Sequence, residues 1–193
     1  MSEHSEPVSD DYGRSWSSQD EDDWGFVPDA DGFYPPHRDA CFGCGPDNET
    51  GLQIRVTDVA KGEIGCTYAF PVRFQGGPGV VHGGAIAAVL DDVVGTVPLA
   101  IKSPAVTARL TVNYRRPVLI GHEVNVRAWQ ENVDGRKRYI KGEMTDSMGR
   151  IVADADALMV EILPGHYERV AADLPPEEIP DHFKVFLPDE NYP

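Results

Sequence analysis

Hydrophobic and polar positions alternate through most of the middle of the chain, a pattern that predicts β-strands. Turn signals separate the alternating runs at Ala60-Lys61-Gly62, Asp134-Gly135 and Met148-Gly149. The runs after residue 105 follow one another closely, so we expect them to form an antiparallel meander. The predicted strands cover residues 51–59, 61–70, 106–114, 123–131, 138–146 and 151–161.

Between the second and third predicted strands, the pattern of hydrophobic residues changes. Residues 84 to about 97 form a nearly continuous small-apolar stretch interrupted by Asp91 and Asp92, and its length favours a buried helix. Two strands, one helix and four strands predict an α+β hotdog fold, in which a curved antiparallel sheet wraps around one long central helix. The helical positions expected to face the sheet are Ile86, Val89, Leu90, Val93 and Val97.

The formal net charge of -15 is concentrated at the two ends of the chain. Residues 1–40 hold 11 acidic and 2 basic side chains, and residues 163–193 hold 7 and 2, so the middle is nearly neutral. Such a distribution argues against a nucleic-acid partner, which would need a basic surface. We predict an acidic, mobile tail over residues 1–36, a folded domain over residues 37–163 and a Pro- and acid-rich extension over residues 164–193.

The sequence also bears on the cellular compartment. No run approaches the roughly 20 apolar residues that a membrane helix needs, and the start of the sequence lacks the basic and apolar segments of a signal peptide. The three cysteines are an odd number, which favours reduced thiols over a disulfide framework. We therefore expect a cytoplasmic protein without membrane insertion.

One face of the predicted helix has almost no side-chain bulk. Gly84, Ala87, Ala88 and Gly95 surround the direction in which Asp91 points, so another molecule or chain could approach closely there. Asp92 points about 100° away and is the weaker candidate for a functional carboxylate. The alternative is that the two aspartates only cap a second helix that begins after them, and that the glycines only form a tight turn.

Thioester hydrolysis needs amide donors for the developing oxyanion and a base for the attacking water. A helix beginning at Gly83-Gly84 would offer exposed N–H groups at its positive end. Asp91 lies about 12 Å further along the same helix, too far to reach the same carbonyl carbon. Two antiparallel helices related by a two-fold axis would combine the N-terminus of one with the carboxylate of the other. We therefore predict an obligate homodimer with shared sites, and pairing of dimers into a tetramer stays open.

The stretch from Phe74 through His82-Gly83-Gly84 to Ala87, followed by Asp91, closely resembles the PaaI-like hotdog acyl-CoA thioesterases. Residues 112–117 and 134–137 are also similar to that family, and the resemblance covers residues 41–162. It implies an acyl-CoA substrate and no cofactor. It also implies that the Gly83 amide polarises the thioester carbonyl and that Asp91 acts as general base or nucleophile. His82 would then shape the turn.

The same resemblance suggests further site residues. Thr107 is similar to a hydroxyl that assists the water in some members, while Gly84 and Val81 fall in the substrate-binding stretch. Family members often carry Asn or Gln where this chain has Gly76, and the neighbouring Gln75 could supply the missing polar contact. This departure bears on substrate selectivity more than on reaction type.

Basic residues beside the Asp134-Gly135 turn could pair with the phosphates of coenzyme A, or could simply form a solvated hairpin tip. Arg115 and Arg116 are weaker candidates, because adjacent strand residues face opposite sides of a sheet. The candidate phosphate-binding residues at the turn are Arg136, Lys137 and Arg138.

Cys41 and Cys44 have the spacing of half a zinc knuckle, and His37 could be a third ligand. The sequence offers no evident fourth ligand, so we predict a tight turn and no metal. Two other functions stay open beside hydrolysis. A hotdog enoyl-CoA hydratase or dehydratase is disfavoured because the helix region has no Asp-x4-His pair. A non-catalytic module that binds acyl-CoA or an acyl carrier would use the same fold.

Overall fold

The computed structural model of the chain describes residues 26–162, together with two short paired segments near the start, β1 (Val8–Ser9) and β2 (Ser15–Trp16). The predicted extension over residues 164–193 and most of the predicted acidic tail lie outside the described residues. Residues 26–36 belong to the folded part, upstream of the predicted boundary at residue 37. Phe26 is only 2% exposed and stacks on Tyr34, whose N–H donates to the Val56 carbonyl.

The main sheet has six strands in the spatial order β3-β4-β6-β7-β8-β5, and all neighbours are antiparallel. The turns between β6 and β7 and between β7 and β8 contain Gly135 and Gly149, whose positive φ angles suit tight hairpins. The strands are β3 (Thr57–Ala60), β4 (Glu63–Ala69), β5 (Ala105–Tyr114), β6 (Glu123–Asp134), β7 (Lys137–Asp146) and β8 (Ile151–Glu161).

One long helix, α1 (Gly83–Ala100), packs against β4, β5, β6, β7 and β8. Its length and apolar composition alone would also suit a membrane span, but half of it is buried inside the protein, as expected of a core helix. The hotdog fold is thus confirmed. The buried helix residues include the whole predicted face and are Ile86, Val89, Leu90, Val93, Val94, Thr96, Val97, Pro98 and Leu99.

The prediction of a strand over residues 51–59 is wrong for its first six residues. Leu52, Ile54 and Val56 are buried, as the alternation requires. Their segment, however, does not join the sheet: the N–H groups of Leu52 and Ile54 donate to the carbonyls of Phe42 and Gly43 in the preceding loop. Alternation predicts which side chains are buried, but it does not identify the backbone partner.

Candidate active site

The first turn of α1 is built around His82. This residue is the N-cap, with extended backbone angles (φ -64°, ψ 134°), and its Nδ1 accepts a hydrogen bond from the Gly84 N–H at 2.9 Å. A side chain at position 84 would meet the His82 imidazole at 3.0 Å, so a small residue is needed there. The predicted role of His82 in shaping the turn agrees with this geometry.

The Gly83 N–H is the amide of this turn that remains available. The Gly84 amide is satisfied by His82, and the amides of Ala85 and Ile86 donate to the His82 carbonyl. Within the described part of the chain, the Gly83 amide has no acceptor. It therefore combines an unsatisfied donor with the positive end of an 18-residue helix.

Tyr114 holds this turn in place, and Gln75 closes the loop that precedes it. The Tyr114 hydroxyl donates to the Gly83 carbonyl at 3.0 Å, a contact that sequence analysis did not predict. On the other side, the Gln75 Oε1 accepts from the Gly79 N–H at 3.2 Å and closes the glycine-rich loop. Val81 lies in the core, 7% exposed, and donates its N–H to the Val118 carbonyl. Substrate contacts of Gln75 and Val81 stay predictions.

Asp91 lies on the face of α1 that the sheet leaves uncovered. Gly84 is exposed, and Ala87, Ala88, Asp91 and Gly95 are only half-buried. A Cβ atom added at Gly95 would meet nothing within 4 Å, so the strip predicted to lack bulk is open in this chain.

A strand residue reaches Asp91 from the side. The Thr107 Oγ1 donates to the Asp91 Oδ1 at 3.2 Å. In the pairing of β5 with β8 the register shifts between Thr107 and Arg109, and such a bulge changes the direction of nearby side chains. Partial burial raises the pKa of Asp91; the Thr107 hydrogen bond opposes this rise and the nearby Asp92 adds to it.

The structure does not bring the two halves of the predicted site together in one chain. Gly83 and Asp91 belong to one unbroken helix, so eight residues separate them by about 12 Å along its axis. Within a single chain, the Gly83 amide and the Asp91 carboxylate are therefore too far apart to act on the same carbonyl group.

The three basic residues at the β6–β7 turn have different environments. Arg136 donates to the Glu161 carbonyl, and Arg138 donates to the Ser103 Oγ and the Glu161 carboxylate. Lys137 is 54% exposed and lies 3.7 Å from the Asp134 carboxylate. Of the three, Lys137 is thus the one whose cationic group is most accessible to a phosphate, and a phosphate contact by any of them stays a prediction.

A second group of polar side chains lies around Asp92, which points about 100° away from Asp91 on α1. His37, Cys41, Cys44 and Asp92 each present a donor atom, and these atoms all lie within 4.8 Å of one another. Hydrogen bonds from the side chains of Cys44 and His37 lower the pKa of Cys41 to about 3. Burial lowers the pKa of His37, but hydrogen bonds with Asp92 and Cys41 outweigh it and raise the pKa to about 9. The sequence spacing connects His37, Cys41 and Cys44 but gives no signal for Asp92.

Comparisons with known proteins agree with this fold. Residues 78–153 match the family model of the Thioesterase superfamily. Acyl-coenzyme A thioesterase THEM4 of Xenopus laevis is 30% identical over 108 residues, which are 54% of this chain and 48% of that protein. The chain thus spans about half the length of this curated relative.

Solved structures give the same result. A crystal structure of a thioesterase superfamily protein has a TM-score of 0.61 and 27% identity, covering 63% of this chain and 60% of that one. The E. coli PaaI protein from the phenylacetic acid degradation operon has a TM-score of 0.54 at 17% identity, covering 57% of this chain and 84% of that one. The described domain is therefore similar to the thioesterase superfamily over residues 78–153, and it has the hotdog fold that the sequence predicts.

Proposed function

We propose that this chain hydrolyses acyl-CoA thioesters to a free acid and coenzyme A. The observation that carries the proposal is the half-buried Asp91 carboxylate, held by Thr107 on the open face of a helix whose first amide has no acceptor among the described residues. A carboxylate base and an amide donor are the two groups that acyl transfer to water requires. The superfamily match and the thioesterase activity named for the relative support the same reaction.

In the proposed mechanism, the Gly83 N–H donates to the thioester carbonyl oxygen, where negative charge develops as the carbonyl carbon is attacked. Asp91 takes a proton from the attacking water, or attacks the carbonyl carbon itself and forms an anhydride that water then hydrolyses. The C–S bond breaks, and the thiolate of coenzyme A leaves and is protonated. Thr107 fixes the Asp91 oxygen that it contacts, which leaves the other oxygen for the reaction.

The proposed active unit is a homodimer. Because one helix separates Gly83 from Asp91 by about 12 Å, a complete site needs the Gly83 of one protomer and the Asp91 of its partner. The open strip of small residues on α1 would let two helices approach each other closely. Strand β5 supports this arrangement, because it forms an edge of the described sheet and exposes Val106 and Tyr114.

The test is the rate of free-thiol release from a panel of acyl-CoAs of different chain length and aromaticity. We expect turnover on at least one member of the panel, and a fall of kcat by about a hundredfold or more in Asp91→Asn. The matched control is Glu123→Gln, which neutralises an exposed carboxylate at the start of β6 and should keep the wild-type rate.

Two results would contradict the proposal. If wild type and Asp91→Asn released thiol equally fast, Asp91 would not be the reactive carboxylate. If wild type turned over no thioester but still bound acyl-CoA in calorimetry, the chain would be a binding module and not an enzyme.

A further inference from the structure

The residues His37, Cys41, Cys44 and Asp92, here called the Cys2HisAsp cluster, come from two separate parts of the chain. The first three belong to the segment that precedes the sheet, whereas Asp92 is in the middle of α1. The His37 Nδ1 lies 3.0 Å from the Cys44 Sγ and 3.5 Å from the Asp92 Oδ1. With metal bonds of about 2.0 to 2.3 Å, the donors of a tetrahedral zinc site lie roughly 3.3 to 3.8 Å apart. The cluster therefore has close to the dimensions of such a site.

One carboxylate oxygen of Asp92 has no partner among the described residues. Its side chain is only 8% exposed, and within the described part of the chain its Oδ2 atom has no hydrogen-bond partner. A buried carboxylate oxygen that lacks a partner is costly, and buried charges are normally paired or bound to a metal. The unsatisfied oxygen lies beside two thiols, whose thiolate forms would add negative charge. A cation at the centre would satisfy all three groups.

The loop between the two cysteines is shaped to fit against this carboxylate. A Cβ atom at Gly43 would lie 2.0 Å from the Asp92 Oδ1, so only glycine lets the loop approach so closely. At Gly45 a Cβ atom would lie 2.4 Å from the Cys41 N and the Asp39 carbonyl. The backbone N–H of His37 donates to the Cys44 Sγ at 3.2 Å, a contact that favours a thiolate. Phe26 stacks on the His37 ring with centroids 6.3 Å apart and helps to orient it.

We propose that His37, Cys41, Cys44 and Asp92 bind one Zn²⁺ ion in a tetrahedral site. Two thiolates and an imidazole favour zinc over calcium or magnesium, which prefer oxygen ligands, and zinc accepts a carboxylate as a further ligand. With four protein ligands the ion has no open position, so its role is structural. Asp92 is the fourth ligand that the sequence alone did not reveal.

The proposed ion has a consequence for the fold. It fastens the segment that carries His37 and the two cysteines to α1, at the residue next to Asp91. Because four ligands from two segments form a site only in the folded chain, zinc binding should stabilise the folded state. The proposal is independent of the hydrolase reaction, since it rests on a different set of side chains.

The test begins with the metal content of the purified full-length chain, measured by mass spectrometry after expression in zinc-supplemented medium. We expect about one zinc per chain. After removal of zinc under reducing conditions, Co²⁺ should bind in its place. Its visible spectrum should contain the intense bands of tetrahedral cobalt and the thiolate-to-cobalt charge-transfer bands near the ultraviolet.

Variants separate the cluster from its neighbours. Cys44→Ser and Asp92→Asn should each lower the zinc content to well below half of the wild-type value. Two matched controls should keep it: Cys66→Ala removes the thiol outside the cluster, and Asp91→Asn removes the adjacent carboxylate, which is not part of the cluster. Circular dichroism of each variant shows whether the fold is kept.

The wild-type measurement keeps the proposal falsifiable even if the variants do not fold. If folded wild type contained no zinc and took up neither Zn²⁺ nor Co²⁺, the cluster would instead be a protonated His37 paired with Asp92, and the proposal would be wrong. Equal zinc in wild type and in a folded Asp92→Asn variant would likewise remove Asp92 from the site. Loss of thioesterase activity in Asp91→Asn with full zinc content would support the proposed role of Asp91 in hydrolysis and would leave the zinc proposal unchanged.

Discussion

At the scale of single residues, two adjacent glycines at the start of α1 have different environments. The Gly84 amide donates to His82, and a side chain at this position would press on the imidazole. The Gly83 amide has no acceptor in the described residues, and a Cβ atom there would make only an ordinary contact of 3.5 Å with Tyr114. Position 83 therefore tolerates a side chain, and the proposed chemistry requires only its N–H.

Replacing Gly83 by proline tests the amide directly. Proline is well tolerated as the first residue of a helix, and the extended conformation of His82 suits a residue that precedes proline. Gly83→Pro should therefore fold normally but lose about 10² to 10³ in kcat, because the oxyanion donor is gone. The control is Gly83→Ala, which keeps the N–H and should keep most of the activity. Equal activity in both variants, measured by thiol release, would rule out the Gly83 N–H as the oxyanion donor.

Thr107 is expected to position Asp91 through its hydroxyl group. Thr107→Val keeps the shape of the side chain but removes the hydrogen bond to the carboxylate, so kcat should fall by about tenfold. Thr107→Ser restores the hydroxyl and should recover much of the rate, with KM similar in all three proteins. A valine variant as active as wild type would show that the contact has no role in the reaction.

The sequence predicts the geometry of the proposed active site better than that of the Cys2HisAsp cluster. His82, Gly83 and Asp91 lie within ten positions on one helix, where spacing alone sets their geometry. Asp92 meets Cys44 only because the loop before the sheet folds onto α1. No local period connects residues so far apart in the chain, and a sequence-based search for a fourth ligand near the cysteines could not succeed.

At the scale of elements, the periodicity of hydrophobic residues predicts which side chains are buried. It does not predict which segments pair through their backbones. The helix face predicted from Ile86 to Val97 is the buried one, and strands β4 to β8 occur where alternation places them. The helix continues to Ala100, beyond the predicted end, and it includes Pro98. Residues 51–56 keep the buried pattern of a strand, yet they pair with a loop whose position only the tertiary fold determines.

The packing of α1 on β7 gives a prediction about stability. A Cβ atom at Gly142 would lie 2.9 Å from the Val94 Cγ1, so the helix rests directly on the strand at this point. Gly142→Ala should lower the free energy of unfolding by about 1 to 3 kcal/mol. Val94→Ala removes the clashing methyl group, so the double variant should be destabilised by less than the sum of the two single changes. Urea denaturation of the four proteins measures this coupling, and strict additivity would contradict the predicted contact.

At the scale of the whole molecule, the described part of one protomer presents two uncovered surfaces. They meet where Thr107 of β5 contacts Asp91 of α1. Strand β5 is an edge of the described sheet, and the Asp91 face of α1 is open. Exposed strand edges favour pairing with a second chain, and a two-fold axis makes the same surface serve both protomers. The proposed dimer would cover both surfaces and would complete two identical sites at once.

Complementation between two inactive variants tests whether the sites are shared. Gly83→Pro lacks the amide, and Asp91→Asn lacks the carboxylate, so each homodimer should be inactive. A mixed dimer joins the intact Gly83 of one protomer to the intact Asp91 of its partner and has one complete site. If the chains assort freely, half of the dimers are mixed and each has one active site of two, so co-expression should restore about a quarter of the wild-type activity. Activity no higher than that of the separate variants, with mixed dimers isolated through two affinity tags, would mean that each site lies within one chain.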